Sequence, residues 1–374
     1  MDFLSRENNV LTNKPSLETL FSLKKFPTYV GCVNTKQSND ISLDLTIDIC
    51  KETGILQLKH LAPLDQVYLF PHNDAIGLTW KNHNEAFLAL IEEYSPKKIL
   101  EIGGGSGKLA KQYIDRNSET KWTILDPNPL FEKNERILSI KKYFSSELSL
   151  KHDFNAIIHS HVLEHQSSPE QFFKNISKFL VFGGLHIFSF PNLKEWLTKK
   201  YLNCLNFEHT ILITDEYIDS VLKKTGFKIL KKNRFQDHSI FYVTKYTGEK
   251  ELTKFPNLYN QNKQLFLEYI KYYENFTKKL NLKLEKFPHK IFLYGAHIFS
   301  QYLLAFGLNQ NKIEGILDNS QLKIGKRLYG TNLRVFDPKI IANQKVGVVM
   351  KVSSYRNEII NQLVKINPDV VIFE

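Results

Sequence analysis

The segment Glu101-Ile102-Gly103-Gly104-Gly105-Ser106-Gly107 constrains this chain more than any other stretch. It follows the apolar run Lys98-Ile99-Leu100-Glu101-Ile102 and precedes a helical pattern from Lys108 to Asp115. Glycines let the backbone turn tightly and let another group come within contact distance. A helix N-terminus offers backbone N–H groups that have no partner inside the helix. Strand, glycine turn and helix together therefore predict a ligand cradle at the end of a buried strand.

The pattern continues on both sides. Residues 78–94 read as a helix with one apolar face. Trp122–Asp126 and Phe154–Ser160 read as strands, Pro169–Leu180 as a helix ending at Gly183-Gly184, and Leu185–Phe190 as the next strand. This alternation predicts a parallel sheet with crossover helices, an α/β fold. Residues 251–288 read as a lysine- and tyrosine-rich helical connector. The alternation then restarts, with strands at Lys290–Gly295, Ile313–Asp318 and Val346–Val352. A chain of 374 residues accommodates two or three domains. The division expected is 1–75 as an N-terminal region of little regular periodicity, 76–250 as the glycine-turn domain, 251–288 as connector and 289–374 as a smaller α/β unit.

Spacing separates the cofactor classes that use such a turn. A P-loop needs G-x-x-x-x-G-K-[ST]; Gly107-Lys108 fits, but Ile102 and Leu109 do not. A dinucleotide fold needs G-x-G-x-x-G or its alanine variant. Gly103 and Gly105 fit, but Lys108 holds the third place, and only the shifted set Gly105, Gly107 and Ala110 matches. That shifted register leaves a nicotinamide oxidoreductase open. An acid, Asp126, ends the next strand, where it can accept hydrogen bonds from both hydroxyls of a ribose. Glu101 can face a cationic part of the ligand through water or the loop.

Composition removes other classes. No apolar run approaches the ~20 residues of a membrane span, and the N-terminus lacks a secretory pattern, so the cytoplasm and no membrane partner are expected. Cys32, Cys50 and Cys204 form no close pair, so neither a disulfide framework nor an intact zinc site is expected. The net charge of +11 comes from scattered lysines with no nucleic-acid module beside them, which points to an anionic small substrate rather than nucleic acid. His161-Val162-Leu163-Glu164-His165 matches H-x-x-E-H, but that zinc chemistry needs one helix, and here a strand leads in and Gln-Ser-Ser-Pro follows. No metal is expected there.

The whole string, acid-x-Gly-x-Gly-x-Gly after the first strand, resembles motif I of class I S-adenosylmethionine-dependent methyltransferases. The HVLEH string resembles the segment after their fourth strand, which implies that Ser160 and His161 sit by the methionine end of S-adenosylmethionine, with Glu101, Gly103, Gly104, Gly105 and Asp126 forming the rest of that site. The order of segments is similar to that of the nucleotide-sugar C-methyltransferases over nearly the whole chain. That resemblance rests on Ile47–Leu64, Glu208-His209, Asp237-His238-Ser239, Tyr294-Gly295-Ala296, Ile316–Asp318 and Lys323–Lys326. It implies a degenerate N-terminal zinc region, a Rossmann-like methyltransferase domain and a Rossmann-like C-terminal domain that helps hold a nucleotide-sugar substrate.

The departures set the chemistry. Thr53 stands where the family has a second cysteine, and Asn206 and His72 stand where it has tyrosines. C-methylation needs a proton taken from a carbon beside a ketone and donors for the enolate, whereas O-methylation needs a base near a hydroxyl. With two tyrosines gone, oxygen is the expected acceptor atom, on a nucleotide-activated sugar destined for surface polysaccharide or capsule. His209 is the expected base, because imidazole titrates near neutrality. Glu208 orients it or binds the sugar, and His238 and His72 are further candidates. C-methylation and a non-catalytic binding protein of the same fold stay open as alternatives.

Overall fold

The computed structural model describes residues 4–69, 78–130, 134–351 and 356–374. The N-terminal region is a sheet. Strands β1 (Leu17–Pro27), β2 (Ser42–Cys50) and β3 (Leu56–Leu58) pair antiparallel, and the short strand Ile211–Leu212 from the middle of the chain adds to β3. Regular structure was not legible here because β1 and β2 alternate poorly: β2 ends in Leu45–Cys50, a run buried on both faces.

Cys50 lies in this sheet, fully buried. Asn9 Nδ2 donates to its sulfur at 2.7 Å, Ser16 Oγ lies 3.1 Å away, and the Thr53 amide donates at 3.4 Å. Hydrogen-bonding side chains thus surround the thiol. Burial pushes the thiol up, but the bonds from Ser16 and Thr53 outweigh it and hold it below its usual range.

The central unit is a seven-stranded sheet. Its elements are α1 (Leu78–Glu92), β4 (Lys98–Ile102), α2 (Lys108–Arg116), β5 (Lys121–Asp126), β6 (Ile137–Lys141), β7 (Phe154–Ser160), α3 (Pro169–Phe179), β8 (Leu180–Pro191), α4 (Asp215–Lys224), β9 (Phe227–Phe235) and β10 (Ser239–Tyr246). The order across the sheet is β9-β10-β8-β7-β4-β5-β6. Strands β6, β5, β4, β7 and β8 run parallel, and β10 is antiparallel to both neighbours. Successive residues of a strand face opposite sides. Leu100, Ile102 and Ile157 accordingly join one buried cluster, and Ile99, Ala156 and Ile158 join another. Two differences from the sequence reading have local causes. Strand β6 was missed because only Ile137 of its five residues is buried. The α3 helix stops at Phe179, before the glycine pair, because Leu180 already pairs with Phe154.

The helix α5 (Tyr259–Glu285) leads to a five-stranded parallel sheet of β11 (Lys290–Tyr294), β12 (Gly315–Leu317), β13 (Val335–Phe336), β14 (Val346–Val349) and β15 (Val371–Phe373), in the order β13-β12-β11-β14-β15. Helices α6 (Ile298–Ala305) and α7 (Arg356–Ile366) complete it. The N-terminal sheet is fastened to this unit. Phe266, Tyr269 and Tyr302 share a core with Leu45 and Ile47. The guanidinium of Arg327 donates to both oxygens of Asp40 at 2.6 Å, a bidentate pair that is almost wholly buried.

Candidate active site

In open α/β sheets ligands bind beyond the carboxyl ends of the strands, where strand order reverses. That reversal lies between β4 and β7. A cavity of about 790 Å³ opens at this point, within the usual size of a ligand site. Glu101, Gly103, Gly104, Gly105, Asp126, Ser160 and His161, the residues expected at the cofactor, all border it.

The glycine turn is shaped by close approach. Gly103 has φ +76°, and a Cβ there would come 2.7 Å from Val162. A Cβ on Gly104 would strike the Glu101 carboxyl carbon at 2.5 Å. A Cβ on Gly105 would meet only Asp126 Oδ2, at 3.5 Å, and otherwise open space. The amides of Gly105 and Asn128 donate to the two oxygens of Asp126 at 3.0 and 2.7 Å, which fixes that carboxylate at the rim. Glu101 is buried beneath the turn, where its Oε2 accepts from the Trp122 indole at 2.8 Å. Burial raises its pKa to about 7; the indole bond opposes the rise and the Asp126 charge adds to it. These residues fit a ligand with a ribose at Asp126 and a cationic group near Glu101.

The opposite wall comes from distant segments. Pro63, Leu64 and Tyr68 of the N-terminal region, Trp80 and Asn84 of α1, and Glu208 border the cavity. Of the expected catalytic residues, Glu208 is at the wall. His209 is buried and does not line it. His238 sits between β9 and β10, off the wall, and His72 lies outside the described residues.

The structure adds His165 and Tyr68, which the sequence reading did not place at the site. Tyr68 Oη is 2.7 Å from His165 Nδ1, and the His165 and His209 rings meet edge to face with centroids 5.3 Å apart. His209 Nδ1 lies 3.2 Å from the Cys204 carbonyl, so this nitrogen carries the proton and donates, leaving the lone pair on Nε2. Burial pulls both imidazoles down. At His165 the hydrogen bond and charge of Glu164 outweigh burial and the net shift is upward; at His209 burial and the neighbouring His165 leave it lowered. His165 was legible as the last residue of the quoted histidine string. Tyr68 carried no signal, since its segment has no periodicity.

The H-x-x-E-H string is not a helical zinc motif. Leu163–His165 is a single 3-10 turn, and the two histidines diverge, His161 towards His83 and His238, His165 towards His209. Among the described residues no helix is long and apolar enough to cross a membrane.

Comparison with known proteins gives one family match and several structural neighbours. Residues 80–232 match a family model described as a methyltransferase domain. Among solved structures, a putative S-adenosylmethionine-dependent methyltransferase from Listeria monocytogenes is 14% identical, with a TM-score of 0.36, over 43% of this chain and 99% of that one. The N-methyltransferase NodS of Bradyrhizobium japonicum is 14% identical, with a TM-score of 0.35, over 47% and 99% of the two chains. Human N-acetylserotonin methyltransferase, crystallised with S-adenosylmethionine, is 17% identical, with a TM-score of 0.38, over 46% and 53%. No curated protein matches. Family match, strand order and glycine turn coincide on one unit, which has the class I methyltransferase fold.

Proposed function

We propose that this chain, built around a class I methyltransferase domain, transfers a methyl group from S-adenosylmethionine to a hydroxyl of a nucleotide-activated sugar. One observation carries the reading: a single cavity has the Gly103–Gly105 turn and Asp126 on one side and Glu208, His165 and Tyr68 on the other. When bound, the cofactor supplies a methyl group activated on a sulfonium. Asp126 would hold the ribose, and the Gly105 amide edge would let the ligand approach the backbone.

The work left to the protein is to place a hydroxyl and take its proton. The histidine pair suits this. His165 borders the cavity, and His209 keeps its Nε2 lone pair because Nδ1–H is spent on the Cys204 carbonyl. His165, at the wall and with its basicity raised by Glu164, suits the holding of the hydroxyl's proton, and His209, lowered by burial, stays neutral behind it. Glu208 would accept hydrogen bonds from the sugar. Lys142 at the cavity edge and the +11 net charge favour an anionic acceptor such as a nucleoside diphosphate sugar.

Tyr68 supports a second reading. Its hydroxyl stands in the wall beside His165, so a donor for an enolate is present although two family tyrosines are replaced. C-methylation of a keto-sugar uses that donor. Mass spectrometry of nucleotide sugars incubated with protein and methyl-labelled S-adenosylmethionine tests both readings. Fragmentation that places the label on a sugar oxygen, with every carbon-bound hydrogen kept, supports O-transfer; label on the carbon beside a ketone, with loss of the hydrogen it carried, supports C-transfer. No methylated nucleotide sugar from a broad panel overturns both.

A further inference from the structure

Three histidines far apart in sequence meet beside the cavity. His83 comes from α1, His161 from the loop after β7, and His238 from the β9–β10 connection. One ligand atom of each lies within 4.8 Å of those of the other two. The ring centroids are 5.2 to 5.4 Å apart. Trp80 closes one side, with its ring 4.7 Å from those of both His161 and His238.

The polar neighbours of each ring favour one tautomer. His161 Nδ1 faces Glu164 Oε1 at 3.5 Å, and His83 Nδ1 faces Asn84 Oδ1 at 3.2 Å. Both oxygens are acceptors, so both Nδ1 atoms carry protons and both Nε2 atoms carry lone pairs. His161 Nε2 then accepts from the Ser239 hydroxyl at 2.8 Å, and His83 Nε2 accepts from Ser189 at 3.2 Å. Ser239 has one proton and gives it to His161. Its oxygen, 2.6 Å from His238 Nδ1, must therefore accept, which puts the His238 lone pair on Nε2 as well. The three rings thus share one tautomer. Metal-binding histidines show the same arrangement: the ring nitrogen away from the cation donates to a carboxylate, amide or hydroxyl oxygen, which orients the ring.

His161 adds an independent sign. Its backbone has φ +54°, in the left-handed region that non-glycine residues avoid. Its amide is held there by the Ser189 carbonyl at 3.0 Å. Such strain collects at functional positions, because surrounding structure must enforce it. Here it turns the imidazole away from His165, its partner in the H-x-x-E-H string, and into the trio.

We propose that His83, His161 and His238 form a binding site for a divalent transition-metal cation of the zinc, cobalt or nickel class. Neutral imidazoles suit these cations, and three histidines with an open fourth position are an established zinc set. Tetrahedral bonding at 2.0–2.1 Å puts nitrogens roughly 3.3 Å apart, so the rings need only small torsional shifts and the serine hydroxyls move aside. Glu164 behind His161 offsets part of the added charge. Because His161, Trp80 and Asn84 border the cavity, the open position lies on its side of the trio. No sequence spacing announces this set, since its members are 78 and 77 residues apart by subtraction of their numbers. The proposal does not depend on the acceptor assigned above.

Cobalt(II) titrated into chelator-stripped full-length protein tests it. The site predicts about one equivalent bound, with the intense visible absorption of a four- or five-coordinate ion, displaced by zinc. His238→Ala, with circular dichroism unchanged, is expected to weaken binding at least about 100-fold. His238→Cys is expected to keep the ion and add a sulfur-to-cobalt charge-transfer band. That variant keeps the test decisive if the alanine protein misfolds. Absence of an intense band in the native protein overturns the proposal, as does a band unaltered in both His238 variants. A band lost in His209→Ala but kept in His238→Ala also overturns it, placing the ion instead among Glu164, His165 and His209, whose ligand atoms also lie within 4.8 Å of one another.

Discussion

The two α/β units repeat one piece of backbone geometry and put it to different ends. In the central unit Gly103 donates its amide to the Leu125 carbonyl at 2.8 Å; in the C-terminal unit Gly295 donates to Leu317 at the same distance. The next residue along the neighbouring strand is an aspartate in both. Asp126 accepts from the Gly105 and Asn128 amides, and Asp318 from the Ala296 and Ser320 amides at 2.9 Å each. What differs is around the acid. The central turn runs through Gly104-Gly105-Ser106-Gly107 before its helix, whereas Ala296-His297 is the whole link to α6. The C-terminal acid is paired with Lys323 at 3.0 Å, both ends being largely buried. Two residues before the glycine stand buried Glu101 in one unit and buried Leu293 in the other. Topology puts an aspartate beyond the strand ends in both, and the residues around it decide whether it borders an open cavity or pairs with a lysine.

The largest expected contrast is between the two aspartates. Asp126→Ala would remove the proposed acceptor of both ribose hydroxyls, and is expected to lose S-adenosylmethionine affinity by ~100-fold or more at about 1.5–3 kcal/mol per charged hydrogen bond. Asp318→Ala leaves that affinity unchanged and costs ~1–3 kcal/mol of stability, because the Ala296 amide is left buried without a partner. Calorimetric titration and chemical denaturation of the two variants read both numbers. Equal losses of affinity would break the comparison.

Next in size is the methyl group that separates Gly105 from Ala296. Gly105→Ala points a Cβ into open space at the cavity, so the fold is kept and cofactor affinity drops roughly 10- to 100-fold, in line with ~1–3 kcal/mol for an inserted methyl group. Titration of this variant beside its unchanged melting temperature checks the point.

Glu101 sharpens the contrast through pH. Its folded pKa, near 7, is raised above the unfolded value near 4.3, so the protonated form is favoured by folding. The stability it contributes is complete below about pH 4.3 and is lost as pH rises through 7. Glu101→Gln removes this slope, and comparison of its melts with the native protein from pH 5 to pH 8 should show the native protein losing up to about 3 kcal/mol more. Leu293, at the matching place, gives the C-terminal unit no such dependence. Last is Lys323→Ala, which leaves Asp318 to the Ala296 and Ser320 amides alone at a cost of ~1–3 kcal/mol, measured by denaturation.

Much of the central unit was legible because its signals are local. The strand Lys98–Ile102, the turn, and the acid at Asp126 each lie within a few residues of their structural cause, and their boundaries match the structure. The acceptor side was legible only in fragments. Glu208 and His165 lie in recognisable strings, but Tyr68 reaches the wall through the N-terminal sheet, whose pairing with Ile211–Leu212 is set by residues far away in sequence. His209 was named for its chemistry and lies one layer behind the wall, because its Nδ1–H and the Asn206 side chain hold the loop back against Cys204. The trio around His161 is invisible to spacing for the same reason: three separate elements supply it.

What the Gly103–Gly105 crevice holds decides the chemistry of this protein. Isothermal titration of S-adenosylmethionine into the native protein and into Asp126→Ala tests this most directly. Saturable binding to the native protein at about one site per chain, lost in Asp126→Ala and kept in Asp318→Ala, is the predicted result. No heat of binding to the native protein, or binding that survives the loss of Asp126, would contradict it.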